Sequence, residues 1–198
     1  MSLLADNTEI WRPARGKVGM ASLIFIESLF FSGFIVAYLF YIGKSANGPF
    51  PREVLDVKPV LVNSAALLSS SFTVVAAVRA LSQGTMHAMR FWLLLTIALG
   101  AYFIYGTLAE WRGLIWEKHL TISTNLFGST FYSLIGFHAF HVCVGLLALS
   151  TILILGVLGR LQPKRDAIRF ELISWYWHFV DVVWIFVFTT VYIVGMRA

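Results

Sequence analysis

The sequence predicts an all-α protein: a polytopic membrane helix bundle with five transmembrane helices, N-terminus inside and C-terminus outside. Three observations predict it. Hydrophobic residues make up 59% of the 198 and charged residues only 13%, against roughly 45–50% and about 25% in soluble domains. The apolar residues gather into five runs, each near the ~20 residues needed to cross a hydrocarbon core. Nearly all the charge falls between those runs. Mean hydropathy is +0.79. A soluble fold has too little polar surface to cover so much apolar side chain. A disordered chain is excluded by the same excess.

The first span is expected from Gly19 to Ile42, with Glu27 as its only charge. The N-terminal stretch before it lacks a signal-peptide core and a small-residue cleavage site, so this span is expected to be retained. The second runs from Val60 to Val78 and the third from Phe91 to Ala109, both uncharged. The fourth runs from Ser129 to Leu158 and holds His138 and His141 but no acid, lysine or arginine. Its length lets it tilt or project beyond the hydrocarbon. The fifth runs from Leu172 to Met196 and contains His178 and Asp181. Residues 1–18 are read as an N-terminal cytoplasmic segment and residues 19–196 as the transmembrane domain.

The linkers carry the turn formers and the charge. Lys44 to Pro59 includes NGPFPREVLDVKP, Ala80 to Arg90 is short, and Gly159 to Glu171 contains GRLQPKRDAIRFE. None is long enough for a separate soluble domain. Nine basic residues fall on the N-terminal side of the membrane: Arg12, Arg15, Lys17, Arg79, Arg90, Arg160, Lys164, Arg165 and Arg169. Six fall on the other: Lys44, Arg52, Lys58, Arg112, Lys118 and Arg197. The positive-inside rule therefore favours N-inside. The net charge of +5 is explained by this topology, not by nucleic acid. The single cysteine, Cys143, sits inside an apolar run, so neither an intrachain disulfide nor a cysteine-rich metal cluster can form. Trp11, Trp92, Trp111, Trp116 and Trp175 lie near predicted boundaries and suit an interfacial belt. Trp177 and Trp184 lie deeper.

Polar residues inside spans must face protein or water. The second span sets Asn63, Ala66, Ser70, Thr73 and Ala77 on one helical face. The third sets Thr96, Gly100, Phe103, Thr107 and Glu110 on one face, and the fourth His138, His141, Gly145 and Ala148. Such stripes are either close helix–helix seams or the lining of a conducting pathway. Glu27 must face protein, water or a polar lipid group, or be protonated. Asp181 is expected at a similar depth, giving an inner polar layer. His178 shares its face, so a His178–Asp181 bond pinning the fifth helix is one reading, and a proton-handling or lipid-binding role is the other. Asn63, Glu110 and His138 are expected to form a second layer near the outer end, unless Glu110 simply marks a helix end.

No nucleotide-binding, P-loop, zincin or nucleophile-elbow motif is present. His138 and His141, one turn apart on one helix, cannot clamp both faces of a haem, and a copper site would want more soft ligands. From residues alone, a non-catalytic membrane subunit and a small transporter both remain.

The segments GSTFYSLIGFHAFHVCVG (Gly128 to Gly145) and WYWHFVDVVWIFVF (Trp175 to Phe188) resemble signatures of subunit III of haem–copper cytochrome oxidases. IESLFFSGF (Ile26 to Phe34) resembles that family's conserved-acid helix, and VNSAALLSSS (Val62 to Ser71) its Asn-Thr helix, with Ser64 in place of threonine. LGAYFIYGTLAEW (Leu99 to Trp111) resembles the next helix, with Gly106 and Thr107 where many members differ. The match runs from Val18 to Met196 and resembles the short five-span bacterial form. The long form has two further helices, which enclose a lipid-filled cleft.

The resemblance implies a multi-pass subunit of a terminal respiratory oxidase in the bacterial cytoplasmic (inner) membrane. It implies contact with oxidase subunit I, and with subunit II and other respiratory-complex subunits, plus membrane lipids and no nucleic acid. It implies no cofactor in this chain, with haem and copper in the partner subunits and a bound phospholipid as an option. The implied role is to stabilise subunit I and sustain proton uptake during oxygen reduction, protecting the catalytic site from turnover inactivation. The electron donor, cytochrome c or quinol, stays open. Glu27 occupies the family position that reacts with hydrophobic carbodiimides. Asn63, Glu110, His138, His141, His178 and Asp181 are implied as polar seam or lipid-contact residues. An accessory subunit of a nitric oxide reductase and a stand-alone transporter are the alternatives.

Overall fold

Five long helices form because lipid offers the backbone no hydrogen-bond partner, so each apolar run must satisfy its own amides. The structure, a computed structural model, describes residues 15–45 and 48–197. Trp11, Arg12 and most of the segment 1–18 lie outside the described residues. The helices are α1 (Arg15–Tyr41), a short α2 (Pro51–Val54), α3 (Val57–Ser82), α4 (Met86–Trp116), α5 (Leu126–Val157) and α6 (Pro163–Phe188). A π-helical turn, Thr189–Val194, continues α6, marked by the Gly195 amide donating to the Thr190 carbonyl at 2.9 Å. All but α2 are long and apolar enough to cross a membrane, so the protein is a multi-pass helical membrane protein. The number of crossings leaves the start of α1 and the end of the π-helical turn at opposite ends of the bundle.

The helices outrun the apolar segments at several ends, because local capping sets where a helix stops. Asp56 accepts the Lys58 amide at 3.0 Å and opens α3, three residues ahead of the expected start. Asn125 accepts the Gly128 amide at 2.8 Å and opens α5. Pro163 starts α6 well before Leu172, where its missing N–H costs nothing. Gly84 closes α3 and Gly159 closes α5, each at positive φ (76° and 68°). In both, the following amide reaches back five residues, Thr85 to Ala80 at 2.9 Å and Arg160 to Leu155 at 3.0 Å. That is the Schellman arrangement, which wants glycine. The linker before α3 is tied to the far end of the chain, where Arg52 donates to the Met196 and Arg197 carbonyls.

The π-continued α6 is the axis. Its apolar window is 56% buried, against 11% for α1. It packs against α1, α3 and α5, while α4 pairs with α3 and α5. Trp177 and Trp184 lie fully buried along it. Trp177 fits because two facing residues are glycines. A Cβ on Gly100 or Gly145 would come within 2.8 or 2.7 Å of its ring. Small residues thus admit a large ring where helices meet, the packing that membrane helices depend on in the absence of a hydrophobic drive between them.

Candidate functional site

The polar residues of the spans gather into small clusters along the helix seams. On the α1–α5 seam, Glu27 Oε2 lies 3.2 Å from His141 Nε2. The other imidazole nitrogen meets the Phe137 carbonyl at 2.7 Å, so the ring is held from both sides. Phe31 packs edge-on against it at 5.0 Å between centroids. Tyr176 Oη on α6 donates to the His141 carbonyl at 3.2 Å. The sequence marked Glu27 and His141 separately. Nothing in it paired residues 114 apart.

On the α3–α6 seam, Ser71 donates to Asp181 Oδ2. His178 Nδ1 lies 2.8 Å from the same hydroxyl, and His178 Nε2 lies 3.2 Å from Ser174 Oγ. A serine hydroxyl has one proton. With that proton on Asp181, a neutral imidazole donates from Nδ1 to Ser71 and accepts from Ser174 at Nε2. The expected direct His178–Asp181 bond is therefore replaced by a Ser71 bridge. Residues three apart on a helix share a face, but α3 approaches closely enough to insert a hydroxyl between them. Asp181 Oδ1 is buried and has no hydrogen-bond partner among the described residues. Two further α3 serines serve α6: Ser70 accepts Trp177 Nε1 and Ser64 accepts Trp184 Nε1, both at 2.8 Å.

Register fixes the levels. Gly145 faces Trp177, and His138 stacks on Trp184 at 4.9 Å. Between those points, His141 and Asp181 stand at one level on antiparallel helices. Glu27 and Asp181 therefore occupy about the same depth but separate seams.

His138 departs from the expected outer layer. It lies twelve residues into α5, about 18 Å along the helix, enclosed by Trp184, Phe103 and Phe31. Phe103 precedes Glu110 by seven residues, so His138 sits about 10 Å nearer the middle than Glu110. The longer start of α5 at Leu126 accounts for the difference. Both His138 ring nitrogens are buried without partners among the described residues.

The layer at the other end consists of Glu110, Asn63 and a residue the sequence reading missed, Tyr192. Tyr192 Oη lies 2.9 and 3.0 Å from the two Glu110 carboxylate oxygens, donating from the π-helical turn. Asn63 is 7% exposed, and its carboxamide fills the space over Gly106, where any Cβ would overlap it. Deeper between α3 and α4, the hydroxyls of Thr73 and Thr96 meet at 2.7 Å. Among the described residues, no three of His, Cys, Asp and Glu gather where they could hold a metal ion. The carboxylates, imidazoles, hydroxyls and carboxamide of these clusters can exchange hydrogen bonds and protons.

The chain matches a family model described as cytochrome c oxidase subunit III over residues 13–196. It is 37% identical over 185 residues to a protein of Nocardia farcinica named probable cytochrome c oxidase subunit 3, covering 92% of this chain and 90% of that one. It is 36% identical over 170 residues to cytochrome c oxidase subunit 3 of Bacillus subtilis, covering 86% and 82%. The Mycobacterium tuberculosis protein named probable cytochrome c oxidase subunit 3 is 33% identical over 185 residues.

Proposed function

The chain belongs to the cytochrome c oxidase subunit III family, and from that premise we propose that it is a non-catalytic membrane subunit of a terminal respiratory oxidase. In this reading it packs beside subunit I in a complex that also holds subunit II, and haem and copper reside in those partners. Its membrane is the bacterial inner membrane, with the N-terminus in the cytoplasm, a direction supported by the nine-to-six division of basic residues. The observation that carries the reading is the family match across all five spanning helices. The relatives named above are oxidase subunits, and nothing favours the nitric oxide reductase or transporter alternatives.

The finer role is to stabilise subunit I and sustain proton uptake. The Glu27–His141 pair supports it, being an acid and an imidazole 3.2 Å apart that join α1, the least buried spanning helix, to α5. Such intramembrane ionisable pairs are rare and costly unless used. Asn63, Glu110, His138, His178 and Asp181 serve in this reading as seam residues that hold the bundle to which subunit I docks.

The test compares the purified oxidase with and without this chain at matched haem content. Haem reduction should survive removal, while oxygen consumption should decline over fewer turnovers. Glu27→Gln keeps the shape and removes the charge, and should shorten turnover lifetime without loss of haem. Identical initial rates, pH profiles and inactivation kinetics with and without the chain would reject the role.

A further inference from the structure

A groove of about 570 Å³ opens on the α3–α4 seam at the end where α4 finishes. Its floor on α4 is Gly106, Glu110, Gly113 and Glu117, at steps of four, three and four residues and so on one helical face. The facing segment, at the start of α3, contributes Asp56 and Asn63. Asn63 lies over Gly106, and Thr73 meets Thr96 ten residues along each helix, so one register holds across the seam. That register sets Asp56 opposite Gly113. From the rim inward the order is Glu117, Asp56, Glu110 and Asn63, in steps of about 4.5–6 Å along the axis.

This ladder has a chemical preference. Three carboxylates face one ammonium, Lys118 at the rim, and apolar walls sharpen that imbalance in favour of a cation. The carboxylates stand about a helical turn apart instead of converging. Among the described residues, no three of His, Cys, Asp and Glu gather where they could hold a metal ion. A cation that uses the whole ladder therefore carries its charges along its length. The floor between the carboxylates is open, because a Cβ on Gly113 would meet nothing within 4 Å. Asn63 lines the inner end and is more than nine-tenths buried, yet its carboxamide has no hydrogen-bond partner among the described residues. Tyr192 fixes the Glu110 carboxylate, which keeps further lone pairs for a second donor.

We propose that this groove binds a linear polyamine, a polymethylene chain with ammonium groups three or four carbons apart. Neighbouring nitrogens of such an extended chain lie about 5–6 Å apart, which is the step of the ladder. The innermost ammonium donates to the Asn63 carboxamide oxygen and to Glu110. Those nearer the rim donate to Asp56 and Glu117, as charge-assisted hydrogen bonds. The methylenes cross Gly113 and pack on Val60 and Ala109. Such a ligand is soluble, enters from the aqueous rim and needs no acyl chain.

The test uses the intact membrane complex that holds this chain, in detergent at low ionic strength, with spermidine as the probe in equilibrium dialysis. Putrescine and butylamine supply two ammonium groups and one. Affinity should rise about tenfold with each added ammonium, the scale of one charge-assisted hydrogen bond, and fall with added salt. Gly113→Leu fills the trough without a clash, since its Cβ meets nothing. Glu117→Lys reverses a charge at the exposed rim. Each should remove one bound spermidine per chain at an unchanged thermal midpoint. Magnesium at the same concentration should not displace the probe. Equal affinity for butylamine and spermidine, a bound total unmoved by both variants, or displacement by equimolar magnesium would each overturn the assignment. Because the readout is binding and not oxygen consumption, its failure would leave the oxidase reading intact.

Discussion

Ser71 is the hydroxyl on which the α3–α6 seam turns, and Ser71→Ala isolates its worth. The substitution removes the bond to Asp181 Oδ2 and the bond from His178 Nδ1. Interhelical hydrogen bonds in membranes average about 0.6 kcal/mol and reach about 1.7, so two of them give roughly 1 kcal/mol. The larger effect is on what remains. Asp181 Oδ1 has no partner to begin with, so the alanine strands the whole carboxyl group in a buried site. An unsatisfied buried polar group costs about 1–3 kcal/mol. The sum is about 2–4 kcal/mol. Asp181→Asn preserves shape and a bonding partner for Ser71, and should shift stability by less than about 1 kcal/mol. In the double variant the stranded group is an amide, not a carboxyl, so Ser71→Ala should cost less there. The expected coupling is about 1–2 kcal/mol. Equilibrium unfolding in mixed micelles, titrated with a denaturing detergent, measures all four corners of the cycle. Additivity within about 0.5 kcal/mol, with a near-neutral Ser71→Ala, would refute the bridging argument.

Gly145→Val should destabilise the bundle by about 1–3 kcal/mol through overpacking, because even a Cβ there lies 2.7 Å from Trp177; thermal unfolding in detergent checks it, and an unchanged midpoint would contradict the close approach. Tyr192→Phe should cost about 1–3 kcal/mol, since Glu110 loses the donor that meets both its oxygens; micelle unfolding of this variant beside Glu110→Gln tests whether the two losses overlap. Cysteines introduced near Asn7 and Ala198, after replacement of Cys143, should label from opposite faces of the membrane. Labelling of both from one face would sink the five-span topology.

The fold was legible because lipid imposes a simple demand: about twenty apolar residues per crossing and no charge left without cause. The helix ends were not, because capping decides them. α4 runs on to Trp116 and α6 starts at Pro163, through polar residues that a hydropathy reading discards. Spacing alone put the polar and small residues of α3, α4 and α5 on single helical faces. Their partners were not readable. Ser69, Ser70 and Ser71 are one chemical type in a row, yet successive helical positions turn by about 100°. Ser69 bonds back to its own helix at Ala65, Ser70 takes Trp177, and Ser71 takes His178 and Asp181. Only the position of α6, some 107 residues later, distinguishes them.

The two sides of α6 are held by different means, and that difference bears on function. Toward α3, three serine hydroxyls engage Trp184, Trp177 and the His178–Asp181 pair. With no hydrophobic drive between membrane helices, such bonds fix which face of α3 meets α6. Toward the edge, α1 meets α6 through Phe31 on Phe179 and Lys17 with Glu171 at 3.7 Å, and meets α5 through Glu27 with His141. Most of its apolar window faces outward. Weakening Glu27 therefore acts first on how α1 docks, while the serine bonds between α3 and α6 stay in place. A group so placed can alter the surroundings of a neighbouring oxidase subunit without unfolding its own chain. Turnover lifetime at constant haem content is the observable in which such a local loosening would register.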